Sequence, residues 1–313
     1  MRTPFTGVGT ALVTPFTRSG ELDEAAVRRL ARRQIDAGIH FLCPCGTTGE
    51  NPTLGDAERV RIVEILVDEA DGKVPILAGA GGYDTKEVIH LARELASAGA
   101  SGFLSVTPYY NKPTQEGLYQ HYRTFADSTS LPIVVYNVPG RTGVNVEVAT
   151  LARLATIPNI VAVKEASGNV SQMCEICRAV PANFLVLSGD DALTLPLMAV
   201  GGHGIISVAS NEIPAEMTAL CDAARAGDWA EARRIHERWL PLFLANFRGG
   251  PNPVPVKAAL ARMGLIGGDA VRQPLLPLDE RAGAGMAATL RGLGLVDEGG
   301  RERQVAITAE SVA

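Results

Sequence analysis

One lysine of this chain ends an apolar stretch, where lysines are uncommon. The chain has five lysines against 24 arginines, and four of the five lie in polar, loop-like or helical surroundings. Lys164 instead ends the run NIVAVK, where strand alternation predicts that it shares a face with Ile160 and Ala162. Burial disfavours a charged ammonium, and the neutral amine is the form that attacks a carbonyl. Lys164 is therefore a candidate Schiff-base nucleophile.

A structural explanation for Lys164 stands beside the chemical one. An ion pair with Glu165, or a side chain that extends to solvent from the strand end, would account for the lysine equally well. Neighbouring strand residues point to opposite faces, which argues against Glu165 as the partner.

Other apolar runs also end in groups that an imine site needs. YNVPGRTG contains Tyr136, whose phenol could move protons, and Arg141, whose guanidinium suits a carboxylate. A core tyrosine and a solvated loop charge are the alternatives. GTTGEN offers the adjacent hydroxyls of Thr47 and Thr48, although an ordinary turn between a strand and a helix has this composition too.

The aromatic pair Tyr109 and Tyr110 follows a further apolar run. The segment TPYYNKP predicts that both rings are exposed, either as packing at an interface or as a wall of the active site.

The elements that would position these groups follow a repeated order. Helical patterns such as 22–38 and 85–99, each ending in glycine, separate short apolar runs. The eight runs are 7–15, 39–46, 74–81, 101–108, 131–137, 159–167, 183–190 and 203–210. Strands joined by helices lie parallel, so an α/β fold is predicted, a (β/α)8 TIM barrel with Lys164 on its active-site face. An open doubly wound sheet is the alternative.

The pattern changes after the eighth run to helices alone. We predict a catalytic barrel over 1–227 and a C-terminal helical region over 228–313, whose first helix opens with Asp228 and Glu231 in capping-box spacing. Residues 298–313 have no clear period and predict a loose terminus.

Composition favours a small-molecule partner. The 313 residues are 46% hydrophobic with a formal net charge of -5, which argues against nucleic acid and anionic lipid as partners. The apolar runs are at most about ten residues long, half the length that a membrane span requires. Five cysteines without an export signal are expected to be reduced thiols. A cytoplasmic protein without membrane contact is predicted.

Patterns that would indicate a metal or cofactor are weak. Cys174 and Cys177 have zinc or redox spacing, but they lie in a helical pattern without a second such pair. GAGGYD lacks the third glycine of a dinucleotide-binding turn, and the five histidines are scattered. We predict neither a metal nor a cofactor.

Six motifs keep a characteristic order and spacing over about residues 4 to 278. They are GTTGE, TPYYNKPTQEGLYQHY, YNVPGRTG, KEASGN, SGDDALTLPLMAVGG and NPVPVKAAL. On these motifs the chain resembles the dihydrodipicolinate synthase family, within the N-acetylneuraminate lyase superfamily of class I aldolases. The resemblance implies condensation of pyruvate with L-aspartate 4-semialdehyde, followed by cyclisation to 4-hydroxy-tetrahydrodipicolinate, in lysine biosynthesis.

The resemblance also implies roles for single residues in catalysis. Lys164 matches the lysine that forms an imine with pyruvate, and Tyr136 matches the adjacent general acid/base. Thr47 and Tyr110 match the other members of a Tyr-Thr-Tyr proton relay, with Tyr110 supplied by a neighbouring subunit. A homotetramer made of two tight dimers is implied.

Substrate contacts follow from the same motifs. Thr48 matches a contact to the pyruvate carboxylate, and Arg141 matches the arginine that binds the carboxylate of the semialdehyde. Gly189 and Ile206 match positions with backbone contacts around the substrate.

An effector site is implied as well, because many relatives are inhibited by lysine at a dimer interface. Responsive bacterial members typically carry histidines where this chain has Asp56 and Arg59, and a fixed positive charge opposes a cationic ligand. Little inhibition by lysine is expected. The matching positions are Asn51, Asp56, Arg59, Tyr83, Glu87 and Tyr109.

Two other functions are alternatives. Sister enzymes share the lysine and the tyrosine but act on N-acetylneuraminate, 2-keto-3-deoxy-sugar acids or hydroxy-oxoglutarate, and Arg141 within GRTG favours the synthase. A barrel that binds a keto acid without catalysis is the second alternative.

Overall fold

Eight parallel strands form the centre of the molecule, each short, apolar and ended by glycine, proline or polar residues. The computed structural model describes residues 4–297, so the predicted loose terminus lies outside the described residues. The strands are β1 Gly7–Ala11, β2 Phe41–Cys43, β3 Leu77–Gly79, β4 Gly102–Val106, β5 Ile133–Asn137, β6 Ile160–Glu165, β7 Leu185–Ser188 and β8 Gly204–Ser207.

The strand order closes a barrel. The sheet runs β2-β1-β8-β7-β6-β5-β4-β3 with parallel pairing throughout. A parallel bridge between Leu42 and Ile76 joins the two ends of this order, and the main-chain N–H of Gly79 donates to Pro44 O at 2.9 Å. The predicted (β/α)8 barrel is confirmed, and the open doubly wound sheet is wrong.

Helices connect the strands and surround the barrel. The predicted helical stretches 22–38 and 85–99 are helices whose flanking Gly38 and Gly99 have positive φ, the conformation that favours glycine after a helix. The helices are α1 Glu24–Asp36, α2 Asp56–Ala70, α3 Thr85–Ser97, α4 Gln115–Asp127, α5 Pro139–Thr142, α6 Val148–Leu154, α7 Val170–Ala179, α8 Thr194–Ala199, α9 Pro214–Ala226, α10 Trp229–Ala245, α11 Val254–Arg262 and α12 Glu280–Gly292. Short 3-10 turns span Asn51–Thr53, Asp191–Leu193 and Ala209–Asn211.

One apolar layer lies on each side of the strands. A large outer layer packs the strands against the helices, and a smaller inner cluster fills the barrel. Ala162 belongs to the inner cluster, whereas Ile160 belongs to the outer layer. Ile133 pairs with Ile160 while the next residue of β5 pairs with Ala162, so Val161 is an extra residue in a bulge. The prediction that Lys164 shares a face with Ile160 is therefore wrong, because the bulge breaks the alternation.

The C-terminal region is helical, as predicted. Asp228 caps α10 by accepting a hydrogen bond from the main-chain N–H of Glu231 at 3.0 Å, and α11 and α12 follow. The division of the chain at residue 227 stays a prediction. None of the helices between residues 4 and 297 is long and apolar enough to cross a membrane.

Candidate active site

Lys164 and Tyr136 lie side by side at the C-terminal ends of β6 and β5. The strand register pairs them directly, and they are 4% and 6% exposed. Lys164 Nζ lies 4.4 Å from the centroid of the Tyr136 ring. The register therefore places a buried amine and a phenol at the same level, inside the barrel and on the face where barrel enzymes carry their active sites.

Glu165 is directed away from this pair. Its carboxylate accepts hydrogen bonds from Asn137 Nδ2 at 2.9 Å and from the main-chain N–H of Ser167 at 2.7 Å. Within the described residues Glu165 makes no ion pair with Lys164. The prediction that Glu165 is not the partner of the lysine is confirmed, so an ion pair between these neighbours does not explain the buried amine.

Gly189 leaves the space that the lysine side chain occupies. A Cβ at this position would lie 2.6 Å from Ala166 Cβ and 3.0 Å from Lys164 Cε. The Gly189 N–H donates to Glu165 O at 2.8 Å, which fixes the residue beside β6. Ile206, fully buried on β8, is part of the inner cluster.

Residues 46–49 after β2, called the hydroxyl turn because they include Thr47 and Thr48, face the same interior. Thr47 and Tyr136 both line a cavity of about 20 Å³, together with Asn51 and residues at the ends of β3 and β4. Thr48 is almost fully buried, and its Oγ accepts a hydrogen bond from Asn252 Nδ2 at 3.0 Å. The structure thus brings the two predicted threonines to the lysine and tyrosine end of the barrel.

Two buried thiols next to this site are poor nucleophiles. Burial raises the pKa of Cys43 to about 12, although the Lys164 charge acts in the opposite direction. Burial likewise raises the pKa of Cys45 to about 12. A neutral thiol is a poor nucleophile, so the amine of Lys164 is the stronger candidate. All five cysteines of the chain are unpaired, as predicted, and no cluster of metal-ligating side chains occurs in residues 4–297.

Arg141 lies on the short helix α5, exposed at the edge of the site. Its Nη2 donates to the main-chain oxygen of Asn252 at 3.3 Å. The guanidinium keeps other N–H groups for a ligand, since it carries five donors in all.

Tyr110 lies outside the buried site of its own chain. Its side chain is 93% exposed and its φ is 71°, a backbone conformation uncommon for residues other than glycine. Tyr109 is half-buried and packs edge-on against Tyr83, with ring centroids 5.4 Å apart. The expectation of two exposed rings is therefore wrong for Tyr109, because the Tyr83 ring covers it.

A second cavity, of about 170 Å³, contains most of the predicted effector positions. Arg59 lies in this cavity: its Nη1 is 3.5 Å from Asp56 Oδ1, and its Nη2 donates to Asn51 O at 2.7 Å. Asn51 itself lines the smaller cavity near Tyr136 instead. The predicted positions that line the larger cavity are Asp56, Arg59, Tyr83, Glu87 and Tyr109.

The sequence predictions missed a buried ion pair beside the hydroxyl turn. Lys257 is fully buried, and its Nζ lies 2.6 Å from Glu50 Oε1 and 2.9 Å from Thr14 O. The main-chain N–H of Arg272 donates to Glu50 Oε2 at 2.9 Å. Apolar residues on both sides of Lys257 in NPVPVKAAL were the available signal. Asn252 was missed as well, because its partners are distant in the sequence.

Comparisons with known proteins agree with this architecture. The model of the dihydrodipicolinate synthetase family matches residues 4–292. A 4-hydroxy-tetrahydrodipicolinate synthase of Koribacter versatilis is 52% identical over 273 residues, 87% of this chain and 90% of that protein. Another, of Chloroherpeton thalassium, is 50% identical over 297 residues, 95% of this chain and 98% of that protein.

A solved structure gives the same result at the level of the fold. Dihydrodipicolinate synthase from Thermotoga maritima matches with a TM-score of 0.92 at 44% identity, covering 94% of this chain and all of that one (100%). With the family model matching from residue 4 to residue 292, the chain belongs to the dihydrodipicolinate synthetase family.

Proposed function

We propose that this chain is a lyase that condenses pyruvate with L-aspartate 4-semialdehyde to 4-hydroxy-tetrahydrodipicolinate, in lysine biosynthesis. The observation that carries the proposal is the amine of Lys164, buried at the catalytic end of the barrel and facing Tyr136. Relatives about half identical to the chain are named 4-hydroxy-tetrahydrodipicolinate synthase, which supports this product.

The chemistry begins with attack of Lys164 Nζ on the keto carbon of pyruvate. Loss of water gives an imine, whose protonated nitrogen accepts the electron pair left when the methyl group loses a proton. The resulting enamine carbon adds to the aldehyde carbon of the second substrate. The amino group of that substrate then attacks the imine carbon, which closes the ring and releases Lys164.

Each of these steps moves a proton, and the Tyr136 ring lies beside the amine. Free tyrosine is a weak base at neutral pH, so a connection to solvent through further hydroxyls would speed the transfers. We assign this function to a hydroxyl relay of Tyr136, Thr47 and Tyr110. Thr47 shares the small cavity with Tyr136, and Tyr110 would come from a neighbouring subunit of a homotetramer.

The two substrates carry carboxylates that need separate donors. The buried hydroxyl of Thr48 is assigned to pyruvate, and the guanidinium of Arg141 to the semialdehyde. Gly189 and Ile206 border the substrate. The proposal places the enzyme in the cytoplasm, where its unpaired cysteines would stay reduced.

A coupled assay tests the substrate pair. Pyruvate with the semialdehyde should turn over much faster than N-acetylneuraminate or 2-keto-3-deoxy-gluconate. Each of these sugar acids has only the keto-acid carboxylate and therefore none for Arg141. Faster turnover of either sugar acid would replace the proposed activity with that of a sister enzyme. No turnover of any substrate would favour a barrel that only binds a keto acid.

Borohydride trapping tests the nucleophile. Incubation with pyruvate and borohydride should leave one stable adduct per chain, on the peptide that contains Lys164. Lys164→Ala should lose the adduct and nearly all turnover while staying folded, whereas Lys73→Ala, at an exposed lysine, should keep both. An adduct on another lysine of an active enzyme would refute the assignment.

A further inference from the structure

Asn252 contacts both groups that are assigned above to the substrate carboxylates. It lies just before α11 and is 8% exposed. Its Nδ2 donates to Thr48 Oγ at 3.0 Å, and its main-chain oxygen accepts from Arg141 Nη2 at 3.3 Å. A residue of the C-terminal region therefore connects two donors that follow different strands, Thr48 after β2 and Arg141 after β5.

The hydrogen bond from Asn252 determines where the Thr48 hydroxyl can donate. A hydroxyl has one hydrogen and two lone pairs. Because the Asn252 amide uses one lone pair, the hydrogen is left for an acceptor, and Thr48 Oγ donates to none in the described part of the chain. A carboxylate, which only accepts, is a partner that fits this hydrogen.

The carboxamide oxygen of Asn252 is a second sign of a ligand-binding role. Oδ1 is buried and has no hydrogen-bond partner among residues 4–297. Buried side-chain oxygens with a purely structural role are normally paired. Asn246 Oδ1 is unpaired as well, so the unpaired oxygen supports a ligand-binding role only together with the contacts of Asn252 to Thr48 and Arg141.

We propose that Asn252 is a positioning residue, which directs the Thr48 hydroxyl toward the keto-acid carboxylate and fixes Arg141 through its main-chain oxygen. The inference rests on the proposed function, since that function assigns the two carboxylates. It adds a role for the C-terminal region: the site requires a side chain from the part of the chain that follows α10.

Kinetics of Asn252→Ala separate the side chain from the main chain. The change removes the amide that contacts Thr48 but keeps the carbonyl that contacts Arg141. The pyruvate KM should therefore rise about tenfold, the effect of one hydrogen bond to a charged group, while the semialdehyde KM changes much less. Asn246→Ala is the matched control, because it removes a buried amide that donates to Glu212 at 2.6 Å away from Thr48. It should leave both KM values unchanged.

A double variant tests whether Asn252 acts through Thr48. Thr48→Val removes the hydroxyl, so adding Asn252→Ala to it should raise the pyruvate KM no further. Effects that multiply, or an Asn252→Ala variant that raises both KM values equally, would overturn the positioning role.

If the alanine variant does not fold, Asn252→Asp serves instead. It should raise the pyruvate KM more at alkaline than at mildly acidic pH, since only a protonated carboxyl can donate to Thr48, and a pH-independent KM would overturn the role.

Borohydride trapping distinguishes failure of this inference from failure of the proposed function. The pyruvate concentration that half-saturates trapping reports the first substrate alone. If wild type forms an adduct on Lys164 and Asn252→Ala needs the same pyruvate concentration, only the role of Asn252 is refuted. If wild type forms no adduct, the proposed function fails first. A higher pyruvate requirement in Asn252→Ala supports the positioning role.

Discussion

Room for the Lys164 side chain depends on a single missing Cβ. In Gly189→Ala the new carbon would meet Ala166 Cβ at 2.6 Å and Lys164 Cε at 3.0 Å, so the lysine must move. We expect turnover to fall by about tenfold or more and stability by about 1 to 3 kcal/mol, as in other overpacked sites. Gly285→Ala, in open space on α12, should be active and at least as stable. Initial rates and thermal unfolding of both variants measure these effects. Equal activity of the two variants would contradict the role of Gly189 in leaving room for Lys164.

Arg59 determines what the larger cavity can bind. Its guanidinium is a fixed positive charge 3.5 Å from the Asp56 carboxylate, in a cavity that Asp84 and Glu87 also line. Repulsion of a cation at about 4 Å in a semi-polar site is worth up to a few kcal/mol before screening. We expect millimolar lysine to inhibit little, and Arg59→His, largely neutral at neutral pH, to increase inhibition. Initial rates at saturating pyruvate test this, and half-inhibition of the wild type well below a millimolar would contradict it.

At the scale of elements, α11 stabilises the hydroxyl turn through a buried ion pair. Lys257→Met leaves Glu50 buried without its cation, which typically costs about 3 to 5 kcal/mol. The turn that carries Thr47 and Thr48 precedes Glu50 directly, so the pyruvate KM should rise too. Adding Glu50→Gln should recover part of the stability, because the uncompensated charge is removed. Denaturant unfolding of the wild type and the two variants measures this, and a Lys257→Met variant as stable as wild type would contradict it.

Elements were predictable to the extent that their signals are local. Apolar runs and terminal glycines predict the strands and helices, and the position of Lys164 at a strand end follows from the same pattern. The bulge at Val161 was not predictable, because an extra residue leaves no mark in an apolar run. Contacts of Asn252 with Thr48, and of Lys257 with Glu50, span more than 200 residues, so no periodicity within a segment contains them.

At the scale of the whole molecule, one chain does not complete the proposed hydroxyl relay. Tyr136 and Thr47 share a cavity, whereas Tyr110 is 93% exposed with a positive φ. Non-glycine residues with positive φ cluster at functional sites, and exposed apolar patches mark interaction sites, so both features fit a contact with another copy of the chain. Tyr83, 60% exposed, lies in the same region through its packing on Tyr109, which extends the apolar surface that a second copy would cover.

Co-expression of two impaired variants tests whether Tyr110 acts on a neighbouring site. Tyr110→Phe lacks the relay hydroxyl, and Lys164→Ala lacks the nucleophile. If the relay crosses the interface, a hybrid dimer contains one site with an intact Lys164 and an intact Tyr110 from its partner chain. Purified by two different tags, the hybrid should reach about half of the wild-type turnover per chain, from one working site in two. If Tyr110 acts within its own chain, every site of the hybrid lacks one group. Turnover no higher than half that of Tyr110→Phe would then contradict the shared relay. A fully active protein that sedimentation shows to be a monomer would contradict the oligomer itself.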